Sequence, residues 1–127
     1  MSHFTTIKTQ IKDIEALRSA CSELGLTVLK DAEARGFISN TTKGDYVIQL
    51  KGPYDVALNK QADGSFGLTS DLWNGHVEQE VGKDYGKLLQ LYGVHKAIRE
   101  ARRKGHLVKR SQQGDGSIKL VIAGGWA

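Results

Sequence analysis

The sequence predicts an α+β fold, in which two helices pack on one face of a single, mainly antiparallel sheet of about six strands. Two well-separated segments place apolar residues at steps of three and four, as the buried side of a helix does. Much of the remaining chain is β-branched or alternates apolar and polar residues, which is typical of strands with one buried face. Helices set among antiparallel strands are expected to cover the apolar face of the sheet.

The first predicted elements are a strand, a helix and a second strand. Residues 4–11 are β-branched and alternating, which indicates a strand. Asp13 suits the N-cap of the following helix, because its carboxylate can accept hydrogen bonds from first-turn amides. Gly25 ends this helix, and a second strand begins at Leu26. The buried stripe of the helix is expected to contain Ile14, Leu17, Cys21 and Leu24.

Two glycine-containing turns predict hairpins. Ala62-Asp63-Gly64 and Gly114-Asp115-Gly116 each separate two short strand-like runs, and glycine supplies the positive φ that such turns need. Between these hairpins we predict one long helix over about residues 77–104, ended by Gly105. Trp73, just before it, is expected to anchor the core. The apolar stripe of the helix contains Val81, Tyr85, Leu88, Tyr92 and His95.

Length and composition set the class of protein. With 127 residues, the chain is expected to form one α+β domain over residues 1–127. No apolar run approaches the roughly 20 residues of a membrane helix, so we expect no membrane span. A single cysteine, Cys21, excludes an internal disulfide and is typical of a reducing compartment. The N-terminus lacks the pattern of a secretory signal, and we therefore expect a cytoplasmic protein.

The positive charge of the chain is concentrated in one segment. Residues 95–110 carry a charge of +6 from seven Lys and Arg residues and one acid, Glu100, whereas the whole chain carries +4. The other 111 residues are therefore at −2. A local positive potential attracts anionic partners such as an acidic protein face or nucleic acid. The cations are Lys96, Arg99, Arg102, Arg103, Lys104, Lys109 and Arg110.

Several landmarks resemble one family of proteins. The N-terminal stretch, residues 2–9, resembles the opening of the hypothetical chloroplast reading-frame family called ycf thirty-five, a domain of unknown function found in plastids and cyanobacteria. Asp71-Leu72-Trp73 departs from the paired aromatics expected after this aspartate. The resemblance implies a cyanobacterial cytosol, a plastid stroma or a phage setting, and an accessory role without established catalytic residues. Further landmarks are Gly36-Phe37, Tyr54-Asp55, Asp63-Gly64, Gln90-Leu91-Tyr92 and Asp115-Gly116-Ser117-Ile118.

The leading functional hypothesis is a small non-enzymatic adaptor that binds an acidic protein partner, without a cofactor or metal. One alternative is nucleic-acid association through the same cations, although the segment has no aromatic residues for base stacking. A weaker alternative is an enzyme with a site between Asp71 and Glu80, where His76 is also found. The cluster could equally be ordinary charge complementation at a helix C-terminus. The oligomeric state stays open. The predicted binding residues are Lys96, Arg99, Arg102, Arg103, Lys109, Arg110 and Trp126.

Overall fold

The computed structural model describes residues 3–124. Most helices and strands are joined by short connections, some of which contain single 3-10 turns at residues 37–39, 73–75 and 83–85. In chain order the elements are β1 (Phe4–Lys8), α1 (Ile14–Glu23), β2 (Thr27–Arg35), β3 (Thr41–Gln49), β4 (Val56–Lys60), β5 (Phe66–Asp71), α2 (Glu78–Val81), α3 (Gly86–Arg103), β6 (Leu107–Gln112) and β7 (Ile118–Ala123).

The main sheet has five strands in the order β1-β5-β4-β3-β2, and all neighbours are antiparallel. The predicted α+β class is therefore confirmed. β6 and β7 form a separate two-stranded sheet instead of extending the main one. The difference arises because β6 follows α3, and β7 then packs through Ile118 against the main core.

The core lies between one face of the main sheet and the two longer helices. Leu17 of α1 and Leu88 of α3 are fully buried against the sheet residues Ile48, Leu58 and Leu68. Each such side chain contributes about 1.5–3 kcal/mol when it is removed from water. The predicted arrangement, with both helices on one face, is therefore the one that buries the apolar stripes. A much smaller cluster of Ala34, Val47 and Ala57 lies apart from this core.

The start of α1 is fixed as the sequence predicts. Asp13 is its N-cap, and its carboxylate accepts hydrogen bonds from the amides of Glu15 and Ala16 at 3.0 and 3.1 Å. The Tyr92 hydroxyl on α3 accepts from the amides of Lys12 and Asp13, both at 3.1 Å. These bonds satisfy amides that a helix start leaves without partners. They also fix where α3 lies relative to α1.

The predicted continuous helix over residues 77–104 is wrong at one point. α2 ends at Val81, and α3 begins only at Gly86. Gly82, at φ +85°, turns the chain, and a Cβ atom built on it would lie 2.7 Å from the amide nitrogen of Lys87. Glycine is therefore required for this close approach. The break is invisible in the apolar pattern because Val81 and Tyr85 are buried on both sides of it.

Trp73 is not the core anchor that the sequence predicts. Its side chain is 45% exposed, and its ring packs on Phe37 with centroids 5.0 Å apart. The reason is the turn that begins at Leu72, which brings the chain to the surface immediately after β5. The two aromatic residues and the exposed Ile38 form a surface patch at one end of the main sheet.

Candidate protein-binding surface

The basic cluster lies on two neighbouring elements. α3 and β6 are joined by a short turn and contact one another, so the two elements are neighbours in the fold. Trp126, the remaining predicted binding residue, lies outside the described residues. α3 carries Lys96, Arg99, Arg102 and Arg103, whereas β6 carries Lys109 and Arg110.

Two carboxylates neutralise most of the cations on α3. Asp13 lies 3.1 Å from Arg99 and 3.6 Å from Lys96, while Glu100 lies 2.9 Å from Lys96 and 3.2 Å from Arg103. Burial acts to raise the pKa of Asp13, but hydrogen bonds from a first-turn amide and from Arg99, together with both cations, leave this pKa lowered. These partly exposed pairs contribute little stability. Their consequence is that three of the four predicted α3 cations present less charge to a partner.

Glu23, at the end of α1, attaches the β6–β7 hairpin to the helices. Its carboxylate accepts two hydrogen bonds from the Arg110 guanidinium, at 2.7 and 2.8 Å, and lies 2.9 Å from Nε2 of His95. The fork of a guanidinium matches a carboxylate in this two-bond geometry. The Arg110 hydrogen bonds lower the pKa of Glu23 to about 2, with a further contribution from His95. Arg110 is therefore a structural cation.

Acid is expected to loosen the hairpin through Glu23. Because its folded pKa is about 2 and its ordinary value is 4.5, the stabilisation is complete above about pH 4.5 and is lost as the pH falls towards 2. Glu23→Gln should speed amide exchange in β6 and β7 near neutral pH and remove this part of the pH dependence. Glu15→Gln is the matched control, because Glu15 contacts only Arg18, at 3.9 Å, within the described ion pairs. Equal exchange in both variants would contradict the assignment.

Arg102 and Lys109 keep their charge available. Both are exposed, and neither forms an ion pair with another described residue. Lys109 belongs to the hairpin face that points away from the helices, which we call the outer hairpin face. On this face Leu107 is 70% exposed and Val121 is 49% exposed. By cross-strand register the outer hairpin face contains Leu107, Lys109, Ser111, Lys119, Val121 and Ala123.

Sequence reasoning missed half of this surface. The run Ile118–Ala123 predicts a strand, and a strand in the expected single sheet would bury its apolar side chains. Because β6 and β7 form their own sheet, Val121 and Ile122 stay about half exposed instead. Lys119 stands apart from the basic segment in sequence and joins it only through the hairpin register, opposite Ser111. Leu107 and Val121 are diagonal neighbours across the two strands, and contiguous exposed apolar side chains with a polar rim are typical of an interaction surface.

The loop from Asp71 to Glu80 uses its carboxylates to hold backbone. Asp71 is buried and accepts hydrogen bonds from the amides of Phe37 and Trp73 at 3.1 and 3.0 Å. Glu80 accepts from the amides of Lys51 and Gly52 at 2.6 and 3.0 Å. The His76 ring packs edge-on against Tyr54 at 5.0 Å. Within residues 3–124, no group of three or more His, Cys, Asp or Glu side chains is arranged to hold a metal ion.

Comparison with known proteins identifies the family. Residues 20–121 match the family described as "Protein of unknown function (DUF1257)". The chain belongs to this family. It is 32% identical over 126 residues to "Uncharacterized protein ycf35" of Pyropia yezoensis, and 28% identical over 124 residues to the protein of the same name from Guillardia theta. Each alignment covers 96% of both chains, which confirms the resemblance seen in the sequence.

The remaining comparisons add two facts about this family member. No solved structure gives a significant match to the chain. None of the helices among the described residues has both the length and the apolar character needed to cross a bilayer.

Proposed function

We propose that the chain is a non-enzymatic adaptor that binds an acidic protein partner through the end of α3 and the outer hairpin face. The observation that supports this proposal is the combination of exposed aliphatic residues, Leu107 and Val121, with exposed cations, Arg102 and Lys109. Stable protein interfaces combine an apolar centre with a polar rim, and arginine is enriched in them. The ycf35 relatives from Pyropia yezoensis and Guillardia theta support a plastid location, and a cyanobacterial cytosol is the alternative that the sequence resemblance implies.

The hairpin strands carry no acidic residues, so the surface that they form is positively charged. Neither β6 nor β7 contains Asp or Glu. The hairpin acid, Asp115, lies at the turn and accepts hydrogen bonds from the amide and hydroxyl of Ser117, at 3.0 and 2.6 Å. A partner that covers the outer hairpin face therefore meets cations and aliphatic side chains. A partner surface with acidic side chains around an apolar centre would complement this positive potential, which favours it over partners of other charge.

Nucleic acid is the second candidate, because Arg102, Lys104 and Lys109 could each contact a phosphate. Such contacts would make the affinity fall steeply with salt concentration. Residues 95–124 contain no Phe, Tyr or Trp, so this surface offers no ring on which a base could stack. The aliphatic residues of the hairpin favour a protein partner over a nucleic acid.

Charge reversal on this surface should remove the partner. We expect Arg102→Glu/Lys109→Glu to weaken capture of a specific protein from a cyanobacterial lysate by about tenfold or more, since like charges across an interface are strongly unfavourable. Lys30→Glu/Lys83→Glu is the matched control, with the same change of net charge at exposed lysines on other elements. The captured protein should be identified by mass spectrometry, and its affinity should be measured with purified components.

The same experiment separates the candidates. A partner that survives nuclease treatment, vanishes in the Arg102/Lys109 variant and is retained in the control supports the adaptor proposal. Recovery that disappears with nuclease in the wild type favours nucleic acid. Equal recovery of the same proteins by all variants would show that the cluster is only a solvated helix end.

A further inference from the structure

The β6–β7 sheet has an edge, along β7, that pairs with no other described strand. Within residues 3–124, β7 pairs with β6 and with no other strand. The amide of Gln113 donates to the carbonyl of Ser117 at 2.9 Å, so this pair next to the turn is hydrogen-bonded. In an antiparallel ladder, hydrogen-bonded and non-hydrogen-bonded pairs alternate. The N–H and C=O groups of Ile118, Leu120 and Ile122 therefore point outward from the β7 edge.

The side chains beside this edge are apolar and positively charged. Ile122 is 47% exposed and Leu120 is half-buried, so an added strand would cover more of both. On the outer hairpin face, Lys119 lies on β7, and Lys109 lies opposite Val121. Acidic side chains on an added strand would lie beside Lys119, with Lys109 one strand further away, while its other side chains would pack on the apolar residues. Cross-strand pairs of these kinds stabilise a sheet.

The β7 edge is a better acceptor than the β6 edge. β6 continues from Lys109 to Gln112 with charged or polar side chains only, and its Arg110 is held by Glu23. β7 has five apolar residues among its six, and the lone charge is Lys119. An unpaired apolar edge of this kind is a ready template for another strand. A lysine on an edge strand also discourages pairing with a like-charged copy.

We propose that the β7 edge accepts an extended, acidic and apolar segment of the partner protein as a third strand. This proposal rests on the adaptor function and specifies how the partner is held. Backbone bonds to Ile118, Leu120 and Ile122 supply affinity, and alternating acids facing Lys119 supply selectivity, with Lys109 adding to the positive potential of the same face. The absence of carboxylates on both strands favours an acidic segment over a second copy, which would bring Lys119 towards its own equivalent.

A short capped peptide of alternating valine and glutamate is the probe. Added to ¹⁵N-labelled protein, it should slow amide exchange of Ile118, Leu120 and Ile122 about tenfold when present at about ten times its Kd. The same peptide with lysine in place of glutamate should bind at least about tenfold more weakly. A peptide N-methylated on its ladder-forming face should not protect these amides, because it cannot form the backbone bonds.

Two substitutions at one position separate backbone from side chain. Ile122→Pro removes an outward N–H without removing a bond to β6, and proline is tolerated on edge strands at such positions. Ile122→Ala keeps the N–H and loses only the side chain. We expect proline to weaken peptide binding at least about tenfold more than alanine does. The unchanged hairpin amides, such as that of Lys109, report whether each variant keeps its fold.

Each other outcome overturns the proposal in a recognisable way. Binding that is lost on Lys109→Glu/Lys119→Glu but is equal in Ile122→Pro and Ile122→Ala would mean side-chain docking, which leaves the adaptor function intact. Protection of the β7 amides that rises with protein concentration in the absence of peptide would assign the edge to a second copy. No binding at millimolar peptide, together with unchanged partner capture by Ile122→Pro, would reject strand addition alone.

Discussion

Replacing Asp55 by alanine is expected to lower the free energy of unfolding by about 3–5 kcal/mol. The Asp55 carboxylate is buried and accepts from the amides of Arg35 and Leu50, at 2.9 and 3.1 Å, and from the Arg35 guanidinium twice, at 2.8 Å each. Alanine leaves both amides without this acceptor. The guanidinium is half exposed and can turn to water, so most of the loss comes from the amides.

Urea denaturation checks this expectation, with Asp63→Ala as its control. Within residues 3–124, the exposed Asp63 carboxylate accepts hydrogen bonds from the amide and hydroxyl of the buried Ser65, so removing it should cost about 1–2 kcal/mol, less than at Asp55. Asp55→Asn should fall between the two, because an amide oxygen can still accept one of the backbone bonds. A loss at Asp55→Ala no larger than that at Asp63→Ala would mean that the ends of β2 and β3 are held by other contacts.

Asp71→Ala is expected to cost about 2–4 kcal/mol and to release the aromatic patch at the end of β5. The buried Asp71 carboxylate holds the amides of Phe37 and Trp73, and so it joins the turn after β2 to the turn after β5. The first of these turns contains Ile38 at φ +46° and ψ +65°, which is unfavourable for a β-branched residue. Surrounding contacts must hold such a conformation in place.

Trp73 itself reports the release. In a Trp126→Phe background it is the sole tryptophan, and its emission should shift to longer wavelength in Asp71→Ala before global unfolding begins. Asp71→Asn should show a smaller shift and a smaller loss of stability. If the emission of Asp71→Ala stays that of the parent until the cooperative transition, the packing of Trp73 on Phe37 holds the patch without the carboxylate.

The sequence predicts those parts of the fold that depend on a single residue, such as a helix N-cap or a glycine in a turn. Asp13 predicts the start of α1 because a carboxylate at the N-cap accepts hydrogen bonds from the amides of the first helical turn. The Asp-Gly turns predict the β4–β5 and β6–β7 hairpins because their backbone needs a positive φ, which Gly64 and Gly116 adopt. The break at Gly82 could not be predicted, since the spacing of Val81, Tyr85 and Leu88 fits a continuous helix equally well.

The sequence predicts the candidate surface only in part, because the net charge of this surface depends on acidic residues that are far away in the sequence. A count of Lys and Arg locates the cluster, but Asp13 neutralises Arg99 and Glu23 neutralises Arg110 across more than eighty residues. Only the fold brings these acids to the cluster. The exposure of Val121 likewise depends on the hairpin forming its own sheet, which strand periodicity does not determine.

The order of strands in the main sheet has a consequence for synthesis of the chain. β1 pairs with β5, for example Lys8 with Gly67, and α1 packs on α3. β1 and α1 therefore leave the ribosome with apolar faces uncovered, before the strand and the helix that they pack against have been made. Such uncovered segments are prone to premature association. Nascent chains from which α3 has not yet emerged should consequently be clients of ribosome-associated chaperones, whereas chains from which Arg103 has emerged can close the core.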